Sequence, residues 1–139
     1  MKSGETRCCR SLLLLRVFWE LLRYDLMVAV AGFPAIYRTL DRKVAARRDC
    51  GALASRICRT IDIVMPFYFK RVLCLQRSVT TARVMQAYGL AAEVVIGYGF
   101  APFVSHAWVE VEGRVVNDST GYPSKLQVLE RIGPAVTSV

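Results

Sequence analysis

The 139 residues are enough for one domain, and a hydrophobic content of 54% excludes a disordered chain. Lys and Arg outnumber Asp and Glu by 19 to 11, so the net charge of +8 favours a partner with acidic surface. The basic residues are scattered along the chain, and no nucleic-acid-binding motif accompanies them. We therefore expect a single domain over residues 1–139 that does not bind nucleic acid.

The chain has an odd number of cysteines, which argues against a disulfide framework in a domain that can build its own core. None of them forms a C-x-x-C pair, and a single histidine cannot complete a Cys/His zinc set. We predict a protein of the reducing cytoplasm without a metal or other cofactor of its own. The cysteines are Cys8, Cys9, Cys50, Cys58 and Cys74.

Residues 11–31 are predicted to form one long helix that ends at Gly32 and Pro34. Apolar residues surround most of this helix, so it is expected to be buried on several sides or to dock on a partner protein or a membrane surface. Charged residues interrupt the apolar stretch well before the roughly 20 residues that a membrane span needs. We therefore predict neither a signal peptide nor a transmembrane helix. These charges are Arg16, Glu20, Arg23 and Asp25.

Three more helices follow in the predicted order. The first covers about 35–47, and the second covers about 50–64 until Pro66 stops it. The third runs from Val72 to Tyr88, and Gly89 stands where a left-handed C-terminal cap is required.

The second half of the chain changes to a period of two. Ala92–Tyr98 is rich in Val and Ile, and His106–Glu112 alternates as a half-buried strand does. Gly113 marks a turn before a returning strand at Arg114–Asp118, and a short helix is predicted at 124–131. Glu110 and Glu112 are expected on a solvated strand edge. Helices followed by an antiparallel sheet predict an α+β fold, with the helix that starts near Cys74 packed across the sheet.

Three residues of this arrangement suit nucleophilic catalysis. Cysteine attacks as its thiolate, and Cys74 lies in the first turn of its predicted helix, where unpaired N–H groups and the helix dipole favour negative charge. His106 begins a strand 32 residues later and would serve as the base. Asp118, on the adjacent strand, would hold the other ring nitrogen.

The hairpin geometry leaves two candidates for that third role. A two-residue turn at Glu112-Gly113 would put Asn117 on the face of His106 and Asp118 on the other face. A three-residue turn or a bulge would instead bring Asp118 to His106. Either side chain can orient an imidazole, but only the aspartate adds charge.

Five sequence blocks within roughly residues 66–120 carry a family resemblance. They are Cys74-Leu75-Gln76-Arg77-Ser78, Tyr88-Gly89-Leu90, Val95-Ile96-Gly97-Tyr98, Ser105-His106-Ala107-Trp108-Val109-Glu110-Val111 and Val116-Asn117-Asp118. These blocks resemble the lasso-peptide leader peptidases, the stand-alone protease halves of split lasso-peptide B proteins. The histidine block and the later aspartate are also shared with the wider transglutaminase-like and papain-like superfamily.

This resemblance implies a cysteine endopeptidase that removes the leader from a ribosomally made precursor peptide. It also implies that a separate leader-recognition protein holds the leader, and that a macrocyclase acts on the product. The family's nucleophile, histidine and acid fall on Cys74, His106 and Asp118, which favours the longer turn or bulge. Residues 66–120 would then form the catalytic core, preceded by a helical region over residues 1–65. ATP has been associated with leader cleavage in some members of the family, but this chain lacks a Gly-rich phosphate loop.

Two other functions use the same residues. A thioester on Cys74 can be taken by an amine instead of water, which would make the protein a transglutaminase-like acyl transferase. The three residues could also be vestigial in a peptide-binding module without catalysis. For an enzyme, Tyr68 and Gln76 are candidate second donors to the oxyanion, because they lie close to Cys74 in the sequence.

Overall fold

A computed structural model describes residues 2–41, 51–118, 121 and 123–134, and the side chains within these ranges from residue 10 onward. The chain builds four α-helices and then a four-stranded antiparallel sheet, which confirms the α+β prediction. The helices are α1 (Lys2–Ala31), α2 (Pro34–Leu40), α3 (Gly51–Val64) and α4 (Cys74–Ala87). The strands are β1 (Ala92–Gly99), β2 (Val104–Val111), β3 (Arg114–Val115) and β4 (Gln127–Ile132).

Helix α1 buries one stripe and exposes another. Leu13, Val17 and Leu21 are spaced by four residues, so they share a face, and this face packs into the core. Leu15 and Trp19 lie on the outer side and are more than half exposed. Among the described residues, no helix combines the length and apolar character that crossing a bilayer requires.

The next two helices agree with the sequence as far as they are described. Helix α2 ends at Leu40, and the predicted continuation to residue 47 lies outside the described residues from 42 onward. From Gly51 onward, helix α3 confirms the helix predicted at about 50–64, since Ile57 and Ile61 face the core and a short 3₁₀ turn containing Pro66 follows. Both helices pack beside α1 and support the same core.

Helix α4 ends as Gly89 predicts. This glycine has φ of 87°, its N–H bonds to the Gln86 carbonyl, and the N–H of Leu90 bonds to the Met85 carbonyl. This pair of bonds is a Schellman motif, which satisfies carbonyls at the end of the helix and reverses the chain into β1. Because of this reversal, β1 runs antiparallel to α4.

The sheet has the strand order β3-β2-β1-β4. On one face, Val94 of β1 lies opposite Val109 of β2, and both are fully buried in the core with Val79 and Ala82 of α4. On the other face, residues alternate with these and include Val95 and Trp108, which are also buried. The sheet is therefore covered on both faces at its centre.

The prediction of a short helix at 124–131 is wrong. Pro123–Lys125 makes one 3₁₀ turn, and Gln127–Ile132 is the edge strand β4, paired with β1. The edge of β1 that does not pair with β2 needs hydrogen-bond partners for its buried backbone groups, and residues 127–132 supply them. The local sequence of this segment gives no sign that β1 needs such a partner.

The expectation for Glu110 is also wrong, whereas Glu112 is exposed at the turn. Glu110 is buried, accepts a bond of 3.0 Å from the Trp108 indole N–H and pairs with Arg131 of β4 at 2.7 Å. The Trp108 ring lies against Gly97, where an added Cβ would come within 2.6 Å of the ring. A glycine is therefore needed where the indole crosses β1.

Candidate active site

Cys74 is the first residue of α4, and its side chain is exposed. Leu73 precedes it as the N-cap residue, in extended conformation, and no side chain caps the helix. The first intrahelical bond to this cap runs from the N–H of Arg77 to the carbonyl of Leu73. The thiol thus stands beside the backbone N–H groups of a first helical turn, an environment that stabilises an anion.

The start of α4 and the histidine strand meet at one end of the sheet. Leu75, next to Cys74, lines a small cavity together with Ile96 of β1. The following residue, Gly97, pairs with His106 of β2. The antiparallel course of α4 and β1 thereby brings residues of two distant sequence blocks to the same end of the fold.

His106 contacts Asp118 directly. Its Nε2 atom lies 2.5 Å from Asp118 Oδ2, and both side chains are about three-quarters buried. The imidazole ring also stacks beside the Trp108 ring, with centroids 6.2 Å apart and planes inclined by 25°. A carboxylate on one side and an aromatic ring on the other restrict the orientation of the imidazole.

The expectation of a longer turn or a bulge between β2 and β3, which the resemblance favours, is wrong. Val111 pairs with Arg114, so the turn has only two residues, and both Glu112 and Gly113 have positive φ. This is the backbone of a type I′ hairpin turn. Regular continuation of the strand would put Asp118 opposite Ala107 and away from His106.

Asp118 reaches His106 because the strand stops early. Strand β3 ends at Val115, and the N–H of Val109 donates to the side-chain oxygen of Asn117 at 2.7 Å. The Asn117 amide in turn donates to Ser78 Oγ of α4 at 3.4 Å. Once Asn117 has turned towards the helix, the next residue turns towards the histidine. The hairpin therefore has the two-residue turn, and Asp118 nevertheless meets His106 because the pairing of β2 with β3 breaks before Asn117.

His106 and Asp118 are in direct contact, and the Cys74 side chain is exposed at the start of α4. The structure thus joins the histidine to the aspartate and places the cysteine at the same end of the sheet. Catalytic hydrogen bonds are commonly long or poorly aligned in substrate-free enzymes and tighten in the complex.

Tyr68 and Gln76 are committed to other bonds. The Tyr68 hydroxyl donates to Asp25 of α1, and the Gln76 amide donates to Asp25 at 3.1 Å and to the Leu21 carbonyl at 3.2 Å. Lys70 also pairs with Asp25. Burial raises the Asp25 pKa, but the bonds from Lys70, Tyr68 and Gln76 outweigh it and lower the pKa below its ordinary value. Asp25 therefore anchors the segment before Cys74 to α1.

Cys58 is a contrasting thiol. It is half-buried, and its Sγ donates to the Val116 carbonyl at 3.3 Å. Burial, with a smaller contribution from Asp62, raises the Cys58 pKa to about 11. No group of three or more potential metal ligands is present among the described residues.

A family model described as the transglutaminase-like superfamily matches residues 18–131. The chain therefore belongs to the transglutaminase-like superfamily, as its histidine block and fold indicate. It is also 41% identical over 59 residues to the microcin J25-processing protein McjB of Escherichia coli. That alignment covers 42% of this chain and 28% of McjB. The resemblance to a processing protein is thus confirmed over a portion of the chain, and no solved structure gives a significant match.

Proposed function

We propose that this protein is a cysteine endopeptidase in which Cys74 is the nucleophile, His106 the general base and acid, and Asp118 the residue that orients the imidazole. The contact of 2.5 Å between His106 Nε2 and Asp118 Oδ2, at the end of the sheet where Cys74 opens a helix, is the observation that carries the proposal. With Nε2 held by the carboxylate, Nδ1 is the ring nitrogen that takes the thiol proton.

The chemistry proceeds through an acyl-enzyme. The Cys74 thiolate attacks the carbonyl carbon of a peptide bond, and the resulting oxyanion is stabilised by N–H groups of the first turn of α4. The His106 imidazolium protonates the departing amine, which breaks the C–N bond and leaves a thioester. Water, deprotonated by the same imidazole, then releases the acyl group and regenerates the thiol. These steps use only residues of this chain and water, so we assign it no cofactor.

The substrate we propose is a ribosomally made lasso-peptide precursor, cut between its leader and its core. The similarity to a microcin-processing protein supports this substrate class, and the net charge of +8 suits an acidic leader or partner. A separate leader-recognition protein, which the resemblance to the stand-alone halves of split lasso-peptide B proteins implies, would hold the leader during cleavage. A macrocyclase would then use the freed core amine. Such an assembly would work in the cytoplasm, where precursor peptides are made.

The direct test mixes the purified protein with the leader-recognition protein and the precursor, and follows the products by mass spectrometry. Free leader and free core, whose masses sum to the precursor plus one water, are the expected products. Cys74→Ala should abolish them, while Cys58→Ser, whose hydroxyl can still donate to the Val116 carbonyl, should leave them unchanged. Cleavage by the Cys74→Ala protein would rule out the proposed nucleophile.

Acyl transfer is the second candidate, and the superfamily to which the chain belongs favours it. The same thioester would then be taken by an amine, so that ammonia or another amine is lost and a new amide is formed. The mass spectrum separates the two reactions. A cross-linked product favours transfer, and two fragments favour hydrolysis.

A further inference from the structure

A cleft of about 370 Å³ opens beside the candidate nucleophile. It lies between the second half of α1 and the segment that leads into α4. Leu73 and Leu75, which line one wall of the cleft, are the residues before and after Cys74 in the chain. The other residues that matter here are Tyr24, Val28, Ala29 and Phe33, which make the opposite wall mainly apolar.

The framework of this cleft is held by the Asp25 bonds. Tyr68, Lys70 and Gln76 all reach across from the α4 side to this one carboxylate of α1. The cleft is therefore formed by α1, the first turn of α4 and the connecting segment, which the Asp25 carboxylate holds against α1. Such a preformed concave site costs less ordering entropy when a ligand enters it.

The charges at the rim are not balanced. Asp25 and Lys70 neutralise each other, whereas no ion pair is formed by Arg71 within the described ranges. An apolar wall with one uncompensated cation suits a side chain without charge that is followed closely by a carboxylate. An exposed pair of opposite charges contributes little affinity, so the apolar contact should dominate and the carboxylate should refine the choice.

We infer that this cleft is a specificity subsite, which receives an apolar side chain of the peptide substrate beside the bond to be cut and directs an adjacent carboxylate to Arg71. The inference deepens the proposed function, since it assumes that Cys74 is where the substrate reacts. Tyr24 lines the same wall, and burial, followed by the nearby charges of Asp25 and Cys74, raises its pKa. Its hydroxyl therefore stays protonated and polar without adding charge to the cleft.

The test measures alkylation of Cys74 and does not require proteolysis. Three reagents deliver the same iodoacetyl group, whose iodide the thiolate displaces: N-iodoacetyl-leucine, N-iodoacetyl-leucinamide and N-iodoacetyl-glycinamide. Second-order rates are measured at pH 7.5 on the whole protein, with the labelled cysteine identified by peptide mapping. We expect N-iodoacetyl-leucinamide to label Cys74 roughly tenfold faster than N-iodoacetyl-glycinamide. We expect the rate with N-iodoacetyl-leucine to exceed the rate with N-iodoacetyl-leucinamide about two- to fivefold.

Two variants separate the two halves of the subsite. Ala29→Trp, which fills the cleft from an exposed helical position, should remove the preference for leucinamide over glycinamide. Arg71→Glu should remove or reverse the preference for leucine over leucinamide and leave the other ratio unchanged. Ala52→Trp, exposed at the start of α3 and outside the cleft, is the matched control and should behave as the unaltered protein.

Equal rates for all three reagents would overturn the inference, and so would preferences that survive Ala29→Trp. Failure of the proposed function has a different result, because it would leave the precursor uncut while these labelling ratios persist. Conversely, normal cleavage of the precursor with no selectivity among the reagents would retain the peptidase and reject the subsite.

Discussion

The side-chain oxygen of Asn117 accepts the N–H of Val109 at 2.7 Å, where a regular hairpin would use a backbone carbonyl. The carbonyl of Val116, which regular pairing would offer there, instead accepts the Cys58 thiol. Because a side-chain oxygen takes the place of the backbone carbonyl as acceptor, strand β3 ends, and Asp118, the residue after Asn117, turns towards His106. Asn117 is thus a positioning residue that acts through the aspartate.

Asn117→Ala is expected to reduce both stability and activity. The buried Val109 N–H loses its acceptor, which should lower the free energy of unfolding by about 1–3 kcal/mol. Asp118 also loses its support, so kcat should fall more than KM changes. Urea unfolding and cleavage kinetics measure the two effects. Ser78→Ala is the comparison, since it removes only the contact of 3.4 Å and should affect kcat less. Equal kcat values for the unaltered protein and Asn117→Ala would contradict the positioning role.

Substitution of the His106–Asp118 pair should affect turnover in a graded order. His106→Ala removes the base and the acid, and should lower kcat by roughly 10²–10⁴-fold. Asp118→Asn keeps an oxygen that can accept the Nε2–H, so it should retain more activity than Asp118→Ala. Initial rates of precursor cleavage at saturating substrate give the order. The assignment of Asp118 fails if its alanine variant cleaves as fast as the unaltered protein.

The two described thiols should differ strongly in reactivity. Burial raises the Cys58 pKa to about 11, so at pH 8 only about one Cys58 in a thousand carries the reactive thiolate. The Cys74 side chain is exposed at the start of α4, so a reagent in solution can reach its sulfur. Iodoacetamide at pH 8 should therefore label Cys74 and spare Cys58, as read by peptide mapping. Preferential labelling of Cys58 would refute the buried environment assigned to it.

The Asp25 cluster should make stability sensitive to acid. Its pKa is lowered in the folded state, so the charged form stabilises the fold above the ordinary value of 3.8. This contribution is lost as the pH falls through the lower folded pKa. Asp25→Asn should destabilise the protein at pH 7, and the difference from the unaltered protein should shrink below about pH 4. Denaturant unfolding from pH 7 to pH 2 measures it.

Asp41→Asn is the control for that series, because Asp41 is an exposed carboxylate beyond the end of α2. Its free energy of unfolding at pH 7 should stay within about 0.5 kcal/mol of that of the unaltered protein. A constant difference between Asp25→Asn and the unaltered protein down to pH 2 would argue against a lowered Asp25 pKa.

The ion pair between Glu20 and Arg83 should be costly to break. Glu20 Oε2 lies 2.8 Å from Arg83 Nε, the glutamate side chain is fully buried, and Arg83 also donates to the Thr39 carbonyl. Glu20→Ala leaves a buried guanidinium without its counter-charge and should lower the unfolding free energy by roughly 3–5 kcal/mol. Glu20→Ala combined with Arg83→Met should recover some of this loss in a double-mutant cycle. Additive losses in that cycle would show that the two side chains are not coupled.

Local features of the sequence predicted α3, α4 and the strands β1 and β2 well, since each has a clear period and a recognisable end. Cys74 at a helix start follows from the same local pattern, as does His106 on a strand. For α1, only the tertiary structure shows that the face with Leu13, Val17 and Leu21 is the buried one. An apolar surface on most sides of a helix does not show which side meets the core.

The kinds of side chain and their order along the chain were thus determined by the sequence alone, because capping, periodicity and thiol chemistry depend on neighbours within a few residues. The tertiary structure alone decided that Gln127–Ile132 is a strand, that Glu20 is buried and that Asp118 meets His106 after a two-residue turn. Each of these depends on partners far away in the chain: the open edge of β1, Arg83 of α4 and the Val109 amide. Such long-range contacts override local preference because a buried backbone amide or charge without a partner costs more than a change of secondary structure.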